Sequence, residues 1–535
     1  MYILTGLLFL LGYTALETSR YVGYIRRKNK YNSGRVADDE LGVDATLYTR
    51  PGSYETHDFS VKAKTGSAYA MELLTNIRKQ KNVVKNLRYI TDNKKLEDVT
   101  REMMYTIIRS AIYLDDSFRN DTNYTHNMNN PNNMDDQDTT QLIPQNVKPI
   151  NVRTMCDEEI DRSIFNIIEQ LEASVSAELG VNFKFSLGSS RTLKVGNSKN
   201  FNHFKPGREP INPVFKPLPL LFAIRSIKII GSFIFWLRGF VLYHGLHGLS
   251  FMVRRKQTSN MSNTSNTGSN SKRGTLMLIH GIGIGISPYV NFVQMFDEYD
   301  DLIMVELPNI GYGKYVDDYP TPDAINESIM DHLSTYHKHL YKVPSTDNND
   351  STNTLPAIDL MGHSYGTVII SYLLRDTTFI NTINYRKIVL LDPVCFTENI
   401  FKLCHIAKLG IVDFISFERK SICSSVKDIV QTIERSIQFL VLFSDIDTQM
   451  LIKRTIFLHE VCFPSSLLGK NVYVVLAEHD MYVNVQEVHH VALQHETNCI
   501  IIDGIGHSDM VFNSREKQIV VDFIRKNDHD DIEIC

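Results

Sequence analysis

From Gly274 onward, short apolar runs recur with helical stretches between them. No other feature of the sequence limits the fold as much. "TLMLIHGIG", "DLIMVELPNIGYG", "AIDLMGHSYG", "KIVLLDPVCF", "NVYVVLAEHD" and "NCIIIDGIGHSD" each join consecutive apolar residues to a turn rich in Gly, Pro, Asp or His. A strand buried on both faces is apolar at every position, whereas a half-solvated strand alternates. Helices between such strands imply a parallel sheet covered on both sides, an α/β fold. In an open parallel sheet the reacting groups collect at the carboxyl ends of the strands. Ser364, Asp480, His507 and the loop "HGIGIG" (280–285) each follow directly on one of these runs.

"GHSYG" sets Ser364 between Gly362 and Gly366. A serine that attacks a carbonyl sits on a sharp strand-to-helix turn, where side chains at the flanking positions would collide with the neighbouring strand and helix. Such a serine needs a base, and the base needs a carboxylate to fix its tautomer. Of the eighteen histidines, only His507 lies just past the last strand in a Gly-flanked turn. Asp480 fits the chain order Ser–Asp–His. Asp392 is the reserve acid, because the following Pro393 gives it an alternative part as a turn starter. The oxyanion donors expected are the backbone N–H of Tyr365 and that of Ile282 or Gly283. A phosphate cradle is the competing reading of "HGIGIGISPYV", which lacks the third glycine and the lysine such loops carry.

With these motifs, residues 274–526 resemble an α/β-hydrolase domain of the lipase and esterase kind. "GHSYG" matches the nucleophile elbow, "HGIGIG" the oxyanion loop, "AEHDMYVN" the acid turn and "GIGHSDM" the base turn. Within that superfamily the chain is most similar to membrane-associated eukaryotic hydrolases with an apolar N-terminal region and an "LDPVCF" strand end. The resemblance implies a mostly parallel sheet flanked by helices, with residues 397–470 as a helical cap between two strands. It departs from acyltransferase relatives, which carry His-x4-Asp where this chain reads "HSDMVF".

The N-terminal half lacks these motifs. At 535 residues the chain exceeds one ordinary domain. "MYILTGLLFLLGYTAL" carries no charge over residues 1–16 and is followed by Arg20, Arg26, Arg27, Lys28 and Lys30. Charge after rather than before the apolar stretch points to an uncleaved membrane anchor over 1–30, leaving the catalytic domain cytoplasmic. Residues 31–213 read as a mainly helical accessory region interrupted near 119–148 by a disordered Asn/Asp-rich tract. Residues 214–253 are apolar with basic interruptions, as in a helix lying in a membrane interface or packed on the core. A flexible Ser/Asn linker over 254–273 precedes the hydrolase domain, and 527–535 form a tail.

A net charge of −5 and a pI near 6.4 give no electrostatic case for nucleic acid. The seven cysteines form no C-x-x-C pair, which argues against a thiolate metal site, and neither a metal nor a cofactor is expected. The function expected is a serine hydrolase that cleaves a lipid-like or other apolar acyl ester at a membrane surface. Thioester or amide hydrolysis would use the same residues. The alternative is a hydrolase scaffold without catalysis, used for binding or membrane organisation. Acyl length, head group and oligomeric state are left open by the sequence.

Overall fold

The computed structural model describes residues 13–29, 99–104, 157–185, 211–255, 273–340, 357–406 and 436–526, with short gaps within 13–29, 99–104, 306–319, 396–406 and 455–461. The Asn/Asp-rich tract, the linker over 256–272 and the tail lie outside the described residues. The chain divides into two units: residues 1–30 with 207–535, and residues 31–206.

Helix α1 (13–29) belongs to the larger unit. In the smaller unit, α2 (Asp157–Leu179) buries Ile168, Leu171 and Val175, one stripe at helical spacing. Glu172 on the same helix is buried and fully engaged. It takes both arms of the Arg101 guanidinium, at 2.8 and 2.5 Å, and the N–H of Phe185 at 3.0 Å.

The larger unit is built on one eight-stranded sheet in the order β1-β2-β4-β3-β5-β6-β7-β8. β1 (Val241–His244) and β2 (Ser250–Arg255) pair antiparallel, and β2 runs antiparallel to β4 (Tyr299–Glu306). From β4 through β3 (Arg273–Ile279), β5 (Ile358–His363), β6 (Tyr385–Leu391), β7 (Val472–Ala477) and β8 (Asn498–Ile502) every pairing is parallel. Of the apolar runs read as buried strands, β5 and β7 are covered at all positions, while the edge strand β8 is half-buried over most of its length. Helices α4 (Pro322–Tyr336), α5 (Tyr365–Arg375), α7 (Val485–Gln494) and α8 (Ser514–Lys526) flank the sheet. This is the α/β-hydrolase fold. Strand order reverses beside β3, whose exit loop and that of β5 open the crevice where ligands bind in such sheets.

Two expectations need correction. The domain boundary placed near 273 falls inside the sheet, because β1 and β2 precede it. The apolar stretch 214–253 is not one segment either. It contains helix α3 (Leu218–Leu237), a break at Gly239 (φ +81°), and then the β1–β2 hairpin. The hairpin forms at an edge, where pairing to β4 supplies the hydrogen bonds that local sequence did not announce.

The insertion between β6 and β7 leaves the sheet at its carboxyl edge. Among its described residues, 436–455 have a π-helical turn (Phe439–Phe443), a short helix α6 (Ile446–Met450) and a second π-helical turn (Leu451–Thr455), a helical cap as expected.

Candidate active site

Ser364 stands between β5 and α5 with φ +52° and ψ −119°, a conformation that costs a non-glycine residue about 1–3 kcal/mol and persists only where its surroundings enforce it. The two glycines beside it allow the enforcement. A Cβ at Gly366 would lie 2.1 Å from the carbonyl oxygen of Ile279 on β3, and one at Gly362 would lie 2.8 Å from the carbonyl of Gly366. Nothing larger fits at either position. Strand pairing continues to the turn itself, where Ser364 donates its N–H to Leu391 O at 2.9 Å.

His507 comes from the loop after β8, and its two ring nitrogens have different partners. Nε2 lies 2.9 Å from Ser364 Oγ, and Nδ1 lies 2.6 Å from Asp480 Oδ2. A carboxylate at Nδ1 requires the proton there, which leaves Nε2 free to accept from the serine. Asp480, at the end of β7, is held by its own turn: Oδ1 accepts the N–H of Tyr482 at 2.7 Å and that of Val483 at 2.9 Å. Lys402 donates to the carbonyls of Asp480 and Val483, fastening the turn to the residues after β6. Burial would raise the Asp480 pKa, yet the adjacent imidazolium, the hydrogen bond to it and the turn amides hold it below the usual carboxylate range. For His507 burial acts downward, and the charge of Asp480 with its hydrogen bond overcomes it, so the imidazole is a stronger base than usual.

The reserve acid, Asp392, is also here. It is fully buried at φ +43°, and its nearest oxygen is 3.9 Å from His507 Nδ1, beyond hydrogen-bond reach. Its two oxygens accept backbone N–H groups instead, Ala477 at 2.9 Å and Ser508 at 2.8 Å. Burial, with the charge of Asp480 added, pushes its pKa up. Asp392 thus ties the acid strand to the base turn while Asp480 holds the imidazole.

The loop "HGIGIG" follows β3 alongside the serine. His280 Nδ1 donates to Gly281 O at 2.7 Å and its Nε2 accepts the N–H of Leu307 at 3.0 Å, which fixes the tautomer. Burial keeps this ring neutral. Of the two loop residues considered as donors, Gly283 gives its N–H to Ile310 O at 3.0 Å, so that amide is engaged away from Ser364. Ile282 is left as the loop's candidate, next to Gly281, where a Cβ would lie 2.8 Å from that of Ser364.

Sequence reasoning passed over several neighbours. His363, inside the elbow motif, accepts at Nδ1 from Tyr289 Oη (2.6 Å), which itself accepts the N–H of Gly281 (3.1 Å). Burial and the nearby His507 depress the His363 pKa far below normal, so it stays neutral. Tyr482 packs edge-on against His507 with ring centroids 4.8 Å apart, and Phe443 of the cap stacks on Tyr482 at 4.9 Å. Tyr482 lies two residues after Asp480, a signal within reach of the sequence. Away from the site, Asp301, His337 and His339 bring donor atoms within 4.8 Å of one another at the amino end of β4. Asp301 Oδ2 lies 3.2 Å from Nδ1 of the buried His337 and 3.9 Å from Nε2 of the exposed His339.

No protein-family model matches this chain, and no curated protein matches it. Solved structures do resemble it in shape. A carboxylesterase from Bacillus subtilis is 14% identical, with 57% of this chain and 99% of that chain covered and a TM-score of 0.37. A bacterial membrane phospholipase A is 15% identical over 57% and 92%, TM-score 0.34. An esterase from Thermogutta terrifontis is 12% identical over 54% and 98%, TM-score 0.36. The fold assignment rests on the strand order and crossovers, not on these scores.

Proposed function

We propose that the protein is a serine hydrolase that cleaves carboxylic esters with an apolar acyl group, through an acyl-enzyme on Ser364. One observation carries the reading: an unbroken relay from Ser364 Oγ through His507 to Asp480 on a strained elbow. His507 Nε2 takes the proton as Ser364 Oγ attacks the ester carbonyl. Asp480 stabilises the imidazolium that forms. The backbone N–H groups of Ile282 and Tyr365 receive the oxyanion. His507 then returns the proton to the leaving alcohol, and a water activated by the same nitrogen releases the acid.

The apolar character of the substrate is supported by what covers the site. Ile406, Phe439, Phe443 and Ile452, with Gln449 and Lys453, line a cavity of about 10 Å³, no larger than one water, beside the Phe443–Tyr482–His507 stack. An acyl chain needs the cap to move, and the cap is an insertion with two π-helical turns.

Labelling by a fluorophosphonate tests the reading. The folded wild-type protein should react and Ser364→Ala should not; hydrolysis of acetyl to dodecanoyl esters then sets the chain preference. A folded wild type that never reacts would favour the non-catalytic scaffold.

A further inference from the structure

Helix α3 turns only one side to the protein. Ile224, Gly231 and Phe235 are buried; Gly231 abuts Ser287, and Phe235 packs edge-on against Phe240 with centroids 5.0 Å apart. The other side carries Phe222 (76% exposed), Ile229 (70%) and Trp236 (64%) with Ile230, Phe233 and Leu237, and continues onto Val241 and Leu242 of β1. Soluble monomers rarely leave so much contiguous apolar surface in water. By length and hydropathy α3 could cross a bilayer. To do so it would have to strip its inner face from the domain and break the ion pair of Lys228 Nζ with Glu306 Oε1 at 2.8 Å.

Two observations identify what covers the outer face. Residues 210–296 hold no Asp or Glu, although the chain has 61, and they carry nine Lys or Arg. Arg225 is among these, exposed on α3 itself. Lys216, Lys228 and Arg254 pair with Asp445, Glu306 and Asp297, so on α3 the exposed charge is that of Arg225 with no acid beside it on the helix. Anionic head groups complement that face, and a second copy of it does not. In addition, the uncharged residues 1–16 lead into α1, which is bonded to the start of α3. Glu17 Oε1 accepts the N–H of Leu218 at 2.5 Å, Arg20 donates to Lys216 O at 3.3 Å, and Tyr24 donates to Pro213 O. Helix α1 thus meets the start of α3.

We propose that the outer face of α3, with β1, lies in the head-group and acyl boundary of a bilayer containing anionic lipid, its axis in the membrane plane, and that α3 transmits this contact to the oxyanion loop and the cap. The docking half stands without the hydrolase reading; the transmission half rests on it. Lys228 pairs with Glu306, whose second oxygen accepts the N–H of Ile286 at 2.7 Å, just past "HGIGIG". Upstream of α3, Val214 donates to Ser444 O at 2.8 Å and Asn212 to Gln449 Oε1 at 3.3 Å, both in the cap. The helix that meets lipid therefore holds the loop at its middle and the cap at its approach.

Trp236 is the only tryptophan in the chain, so its emission reports the face directly. Docking is measured on full-length Ser364→Ala, independent of catalysis, with vesicles of phosphatidylcholine containing phosphatidylserine. The emission should shift to the blue, less so in high salt, and lipids brominated near the glycerol should quench more than those brominated near the chain ends. Phe222→Ser with Ile229→Ser should weaken binding by about tenfold or more with far-UV circular dichroism unchanged. Unchanged emission, a face hidden by self-association or by residues 1–12, or stronger quenching from the chain ends would overturn the docking. For transmission, Lys228→Met should bind vesicles normally yet label with fluorophosphonate about tenfold more slowly, and Lys228→Arg should restore labelling. Normal labelling of Lys228→Met overturns transmission alone. Absence of labelling in the wild type removes the hydrolase reading, and transmission with it, while leaving docking to stand on the emission data.

Discussion

The elbow and the cap face each other across one site and are held in opposite ways. Around Ser364 the backbone is enclosed by strands, glycines stand where no Cβ fits, and an unfavourable conformation is enforced by parallel pairing on both sides of β5. The cap has no strand pairing of this kind among its described residues; side chains join it to the rest, Lys216 with Ser444 and Asp445, Arg27 and Tyr319 with Asp447, and Phe443 with Tyr482. Chemistry needs reacting atoms kept in place, whereas admitting a substrate needs a part that moves. The difference teaches that mutations at the elbow should act on turnover whatever the substrate, and mutations in the cap should act on which substrate is turned over.

The largest expected effect is at the elbow. Ser364→Ala and His507→Ala should each abolish ester hydrolysis while leaving thermal unfolding intact, since neither side chain packs the core. Asp480→Asn should cost on the order of 10⁴-fold in kcat, because an amide cannot support the required tautomer. It should also move the pH profile. The base works when His507 is neutral, so activity falls as pH drops through its pKa, and Asp480 raises that pKa above the ordinary histidine value. The acid limb of kcat/KM should therefore lie above that value in the wild type and shift to lower pH in Asp480→Asn, read from residual turnover.

Asp392→Asn comes next and separates the two carboxylates. Both oxygens of Asp392 accept N–H groups, so an amide must turn its NH2 toward one of them. One lost buried hydrogen bond costs about 1–3 kcal/mol of stability. The base turn should loosen with a loss of about tenfold in kcat, and the acid limb should move much less than in Asp480→Asn. If Asp392→Asn is the more damaging to turnover, the acid has been misassigned.

How much of this was legible in the sequence follows from how locally each feature is encoded. β3 to β7 announce themselves because strands buried on both faces need unbroken apolar runs, and the edge strand β8 carries such a run although it is half-buried. The elbow is five consecutive residues, and Asp480 and His507 each follow a strand end in the chain order Ser–Asp–His. β1 and β2 escaped because their residues follow on directly from an apolar helix; Gly239, Gly245 and Gly248 were the punctuation available. Tyr289 with His363 and Lys228 with Glu306 unite residues 74 and 78 apart, which no spacing rule encodes. Asp392 against Asp480 was open for the same reason: both follow a buried strand, and only the fold sets one at 2.6 Å from the imidazole and the other at 3.9 Å.

The smallest expected effect is the most diagnostic of the comparison. Phe443 is half-buried, stacks on Tyr482, and joins Phe439 in lining the cavity beneath the cap. An acyl chain seated there would gain about 0.8 kcal/mol for each methylene it buries. Phe443→Ser removes apolar surface at that spot without touching the relay or the elbow. Turnover of dodecanoyl esters should fall several-fold while that of acetyl esters holds, with the loss in KM as much as in kcat. Leu440→Ser, on the same π-helical turn and half-buried but not among the cavity-lining residues, is the control and should leave the ratio nearer to wild type. An equal loss on long and short esters would mean that Phe443 serves only to hold Tyr482 against His507, and the division between a fixed elbow and a selecting cap would then have to be abandoned.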